Sequence, residues 1–193
     1  MRRRRSGARG AVTVEMAIVA PFLLVLLFGI AEFGLAWTSG NRLEGAVSTA
    51  ARTGSVSGSL AEADNHILMS LRASLDADLR ANVERVIVFR SDRNGSMNSA
   101  CRTTTPGTGV SSGFRCNVYS RTQLETAGPT STLPNGFWPP TGRQDHLADT
   151  PAGPDYIGVT VITRHDDVSG TFWRNGFRLE RTSIYRIQPD LDG

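Results

Sequence analysis

Lysine is absent: all 21 basic residues of the chain are arginine. This excludes chemistry built on a lysine amine, such as a Schiff base or the lysine of a phosphate-binding loop. It reads as GC-rich coding rather than as mechanism. The two cysteines, Cys101 and Cys116, are too few for a four-ligand zinc site or an iron–sulfur cluster of their own. Aromatics reach only 7%, while 20 glycines and 9 prolines point to a loop-rich body around a modest core. Net positive charge is also missing from most of the chain. The net charge of +3 rests on Arg2, Arg3, Arg4, Arg5 and Arg9, and everything after Gly10 sums to −2. The basicity therefore belongs to a leader, which removes the case for a nucleic-acid partner.

What is present is one long apolar run. Met16 to Trp37 holds 22 residues with a single charge, Glu32. As a helix it measures about 33 Å, enough for a hydrocarbon core of about 30 Å. The arginines before it place its N-terminus in the cytoplasm by the positive-inside rule. Trp37 then falls at the outer interface, and residues 38–193 are exported across the cytoplasmic membrane. A cleaved secretory signal fits poorly, because the run is too long, has an acid at its start and another near its end, and lacks a small-residue cleavage site after it. A twin-arginine signal lacks its flanking pattern.

The sharper feature is Gly10-Ala11-Val12-Thr13-Val14-Glu15. A basic leader ends in Gly, and a carboxylate lies at the fifth position beyond it, just before the apolar helix. This is the prepilin processing pattern: a prepilin peptidase cuts after Gly10 on the cytoplasmic side, and Ala11 becomes the new N-terminus. Carrying an unpaired carboxylate to the bilayer centre costs about 2.5–3.5 kcal/mol. A neighbouring subunit's α-ammonium, with a reference pKa of about 7.7–8.0, is its natural partner. Glu15 then sets the axial register between subunits. The alternative use is an acid resting at the cytoplasmic interface.

The stretch AVTVEMAIVAPFLLVLLFGIAEFG resembles the N-terminal segment of TadE-like pseudopilins of tight-adherence (Flp-type) pilus systems. The matching residues are Gly10, Ala11, Glu15, Pro21, Gly29, Ile30, Glu32, Phe33 and Gly34. Met16 departs from the family, which usually has Phe after the acid. The resemblance implies a pseudopilin or minor pilin that assembles by helix packing. Its implied partners are the membrane, a prepilin peptidase, other pilins and the pilus assembly platform. It implies no catalysis, no cofactor and no small-molecule substrate.

Within the apolar helix, Pro21 permits a kink that membrane helices tolerate. Glu32 is within reach of either a partner helix or the headgroups. Gly34 with Thr38, and Ala36 with Gly40, have the small-x-x-x-small spacing of close helix approach.

The helical pattern continues past Trp37 through Leu43, Ala46, Val47, Ala50 and Ala51, which predicts a first helix from Val12 to Thr53 that ends at Gly54. The expected division is a leader at 1–10, a transmembrane helix at 11–37, its extension at 38–54 and an exported domain at 55–193. GSVSGS at 54–59 reads as a flexible joint. Ser59 with Glu62 has the spacing of a capping box, opening a second helix with Leu60, Ala63, Ile67, Leu71, Leu75 and Leu79 on one face. Strands are expected at Val83–Arg90, Tyr156–Arg164 and Phe177–Ile187. Between the first two, residues 91–155 read as an irregular insert with turns at Asn94-Gly95 and Asn135-Gly136, and Asn175-Gly176 is a further candidate turn. The fold class is α+β and pilin-like: a long membrane helix, a second helix and a small antiparallel sheet. PDYIGVTVITRHDD and YRIQP also resemble the C-terminal half of TadE-like proteins, by pattern alone.

In an exported chain Cys101 and Cys116 are expected to pair, stapling the Thr/Gly/Ser-rich stretch between them; closing such a loop is worth about 3 kcal/mol. Catalytic patterns fail on context. Gly109-Val110-Ser111-Ser112-Gly113 matches a nucleophile elbow by letters but lacks the strand and helix it needs. His66, His146 and His165 are scattered. His165-Asp166-Asp167 reads as a solvated strand end, Asp76 and Asp78 as the polar side of a helix, and Asn94-Gly95-Ser96 as a turn rather than a glycosylation site. The competing class is an uncleaved, membrane-anchored domain with an enzymatic or ligand-binding role.

Overall fold

The computed structural model describes residues 7–92, 94–113, 115–145, 153–166 and 176–188. Helix α1 runs from Gly7 to Ser57, 51 residues and about 75 Å, with Pro21 inside it. The expected stop at Gly54 does not occur, and 54–59 is not a loose joint. Gly54 stays helical despite glycine's low helix propensity, and its missing Cβ serves packing instead. One added there would lie 2.8 Å from Ile67 Cδ1 and 2.9 Å from Ile157 Cδ1, so the bare backbone is what lets α1 seat against its neighbours. The helix ends instead at Gly58, whose φ of +51° suits glycine and whose N–H donates to the Gly54 carbonyl at 3.1 Å.

The expected capping box at Ser59 and Glu62 is also not made. Ser59 Oγ donates to Asp145 Oδ2, and α2 begins at Ala63 and runs to Ser74 without a side-chain cap. The second helix breaks before Leu79. Leu75 is extended, and Asp76 caps a separate short helix α3, Ala77–Ala81, by accepting from the Leu79 N–H at 3.1 Å. Leu75 and Leu79 are buried all the same, whereas Leu60 is exposed.

The sheet has five strands: β1 (Val83–Ser91), β2 (Gly109–Val110), β3 (Cys116–Tyr119), β4 (Tyr156–His165) and β5 (Phe177–Arg186). Their order is β2-β3-β1-β4-β5, and every neighbouring pair is antiparallel. The architecture is α+β, with one long apolar helix, a second helix and a small antiparallel sheet. The stretch 91–155 is more ordered than its composition indicates. It supplies β2, β3, α4 (Ser99–Thr103), α5 (Arg121–Thr126) and a 3₁₀ turn at Pro140–Gly142. A true capping box forms there, with Ser120 and Gln123 bonding reciprocally at the start of α5.

One face of the sheet presents Val86, Val88, Val159 and Val161 to Leu43, Val47 and Ala50 of α1 and to Ile67 and Leu71 of α2. The other gathers Ile87, Phe89, Val118, Ile162, Cys101 and Cys116. Cys101 and Cys116 are disulfide-bonded, with Cα atoms 6.3 Å apart, which ties α4 to β3. Of the expected turns, Asn94-Gly95 is held by Asp92 Oδ1, which accepts from Asn94 N at 2.9 Å and Ser96 N at 2.7 Å. Asn175 lies outside the described residues, next to Gly176 with φ +63°.

Candidate functional site

Among the described residues one helix is long and apolar enough to cross a membrane, and it is α1. From Val12 to Ala31 its side chains are almost all exposed, and none is buried by the rest of the chain. That stretch is 20 residues, about 30 Å of helix, which matches the thickness of a hydrocarbon core. Gly10 and Glu15 are exposed near its start, and the Gly10–Ala11 bond lies within helix. The arginines at 2–5 lie outside the described residues.

The chain's own domain begins to cover α1 at Glu32, which is only 4% exposed although it sits within the apolar run. Glu32, Ala36, Gly40, Leu43 and Val47 recur at helical spacing and form one buried face. A Cβ on Gly40 would come within 2.9 Å of Arg181 Nη2. Ala36 and Gly40 are thus spent on close approach of the chain's own sheet. Gly34 and Thr38 are not. Gly34 is exposed with open space beside it, and Thr38 Oγ1 donates back to the Gly34 carbonyl at 2.9 Å. Phe33 and Trp37 are 63% and 65% exposed, with ring centroids 6.4 Å apart, a placement suited to an interfacial aromatic belt. Pro21 is exposed and Gly29 half-buried.

Inside the domain lies a polar cluster that the sequence reading does not anticipate. Asp64 of α2 is fully buried, and its Oδ1 accepts from Arg143 Nη2 at 2.5 Å. Its Oδ2 accepts from the Tyr119 hydroxyl at 2.5 Å and from Asn117 Nδ2 at 3.0 Å. Asn117 also clasps the Trp138 backbone, donating to its carbonyl at 2.9 Å and accepting from its N–H at 2.9 Å. The Arg143 guanidinium stacks 4.2 Å from the Trp138 ring centre, while Nε and Nη1 have no hydrogen-bond partner. Burial, followed by the nearby Asp64 carboxylate, pushes the Tyr119 phenol well above its ordinary value of 10.0. The cluster binds α2, β3 and the 127–145 segment together. The one signal for it is an acid on the apolar face of α2, at Ala63-Asp64-Ile67-Leu68 spacing.

The remaining candidates are separated in space. Gly109-Val110 forms a strand, but β3 begins three residues past Gly113, so no strand–elbow–helix exists around Ser111. His66 Nδ1 lies 3.2 Å from Ser57 Oγ, and the His165 ring packs 5.2 Å from Phe177. His146 and Asp167 lie outside the described residues. Among the described residues no three of His, Cys, Asp and Glu converge as a metal site.

Residues 10–52 match the family model described as TadE-like protein, the family that the segment beginning at Gly10 resembles. That family is associated with Tad pili and is not a known enzyme family. The matched segment lies wholly within α1, from Gly10 to the part seated on the sheet. No curated protein and no solved structure matches the chain.

Proposed function

We propose that the chain is a pseudopilin or minor pilin of a tight-adherence pilus system, held in the cytoplasmic membrane by α1 with the domain outside. A prepilin peptidase removes residues 1–10, and the mature chain starts at Ala11. Residues 11–37 cross the bilayer, 38–54 extend the helix, and the domain from 55 on, stapled by Cys101–Cys116, faces an oxidising compartment. The observation that carries this reading is the conjunction at α1. The family match begins at Gly10, and a bilayer-length stretch of bare apolar helix follows directly.

Assembly with other pilins and the platform proceeds by helix packing. Pro21, Gly29 and Gly34 contribute on the lipid-facing helix, and Glu32 works differently, on the side that the chain's own domain covers. Glu15 neutralises the Ala11 ammonium of a neighbour and fixes the register. Before cleavage Ala11 has no free amine, so the precursor cannot pack this way. A Glu15→Gln variant keeps size and part of the hydrogen bonding but loses the charge. Insertion and the disulfide should survive, while crosslinking to pilin partners through residues 11–37 should drop about tenfold, the loss of one charge-assisted bond. Unchanged crosslinking would reduce Glu15 to an interfacial acid and remove the register mechanism.

A further inference from the structure

A cleft of about 400 Å³ opens where α1 meets the α2–α3 elbow and the end of β4. Its wall on α1 starts at Leu35 and Ser39. Leu35 is four residues beyond Ala31, about 6 Å past the bare stretch of helix, which places it in the headgroup layer. The cleft therefore starts at the membrane surface and rises from it.

Its lining is charged with both signs. Arg42 and Arg164 supply two guanidiniums, 64% and 52% exposed. Neither is firmly committed. Arg42 pairs with Asp76 at 3.1 Å in an exposed bridge of the kind that contributes little. Arg164 is 3.8 Å from Glu84, whose carboxylate is held much more closely by Arg178 at 2.6 Å. Facing them are Asp76 and the exposed Asp78 and Asp166. His165, also in the wall, has a buried Nε2 with no hydrogen-bond partner.

We infer that this cleft is a headgroup site for a zwitterionic phospholipid bearing a primary ammonium, of the phosphatidylethanolamine class, in the outer leaflet. The inference rests on the reading that α1 spans the membrane. Arg42 and Arg164 take the phosphodiester, since guanidinium forks match phosphate oxygens. The carboxylates take the ammonium, whose three N–H donors a choline headgroup lacks. Three carboxylates against two guanidiniums leave the lining slightly negative, which disfavours a purely anionic lipid. Bound this way, a lipid holds the domain at a fixed height and rotation on the bilayer, beside the open side of α1.

The test uses the full chain, disulfide intact, in nanodiscs of equal parts phosphatidylethanolamine, phosphatidylglycerol and phosphatidylcholine, with retained lipid identified by native mass spectrometry. Phosphatidylethanolamine should be retained in preference to the other two. Arg42→Gln with Arg164→Gln should cut that retention about tenfold or more, since both guanidinium contacts to the phosphodiester are lost. Asp78→Asn with Asp166→Asn should move the preference towards phosphatidylglycerol. All four side chains are substantially solvent-exposed or loosely paired, and an unchanged thermal unfolding midpoint checks the fold. Equal retention of the three lipids, or retention unaffected by both double variants, overturns the headgroup site and leaves the spanning helix standing. A chain that does not enter the nanodiscs overturns the spanning reading, and the site with it.

Discussion

Asp64 joins three segments of the domain, because its two oxygens serve three donors in a dry setting. Replacing it by Ala strands the buried Arg143 guanidinium, two of whose nitrogens already lack partners. Breaking a buried pair from one side costs about 3–5 kcal/mol, so the urea midpoint should fall steeply with an unchanged slope. Asp64→Leu with Arg143→Met removes both charges and should recover most of that loss. Tyr119 adds a pH dependence of definite sign. Its phenol is raised in the fold, so above about pH 10 the unfolded chain releases a proton that the folded chain retains. Stability should be flat through neutral pH and fall as pH rises beyond that point. Tyr119→Phe should abolish the alkaline slope, at a cost of about 1 kcal/mol for the lost hydrogen bond, read by chemical denaturation across pH. Of this cluster only Asp64, an acid on the apolar face of α2, leaves a mark in the sequence. The partners are separated by 53 to 79 residues in sequence, and Asn117, Trp138 and Arg143 come from a stretch whose composition reads as loop.

Periodicity shows an element where one face is buried and says little about where it stops. The alternation of β4 and β5 marks those strands to within a residue, whereas the apolar pattern of α1 marks the helix but misses its ends by several residues. The stop at Gly54 misleads because glycine there answers a packing demand, close approach of Ile67 and Ile157, rather than a change of backbone direction. The break before α3 was hidden because Leu71, Leu75 and Leu79 keep four-residue spacing although Leu75 and Asp76 are extended. Strand β3 is only four residues long and is held by its pairing with β1, a long-range cause that no local window contains. Gly158 shows the same kind of demand within the sheet. It lies opposite Phe89, and a Cβ there would come 2.2 Å from Phe89 Cζ. Gly158→Ala should therefore lower stability by about 1–3 kcal/mol, with partial recovery when Phe89 is trimmed to Leu, measured by thermal or urea unfolding.

At the scale of the whole molecule, α1 does two jobs along one axis. Among the described residues no side chain of its first part, Val12 to Ala31, is buried, and its second part is a core element of the domain. The handover at Glu32 was not readable from hydropathy, which continues unchanged to Trp37. It depends on what the sheet brings alongside the helix. The Cys101–Cys116 bridge sits on the opposite sheet face, remote from this handover. Its reduction should cost about 3 kcal/mol of domain stability, read by urea titration with and without reductant, while membrane attachment persists. The proposed function requires that a leader is removed and a bilayer-spanning helix remains. The most direct measurement is N-terminal sequencing with intact mass of the chain extracted from membranes of cells that carry a prepilin peptidase. The expected result is a membrane-bound product beginning at Ala11, and an uncut but inserted precursor when Gly10 is replaced by a bulky residue. A membrane-bound chain still beginning at Met1, or a product beginning anywhere after Trp37, would contradict it.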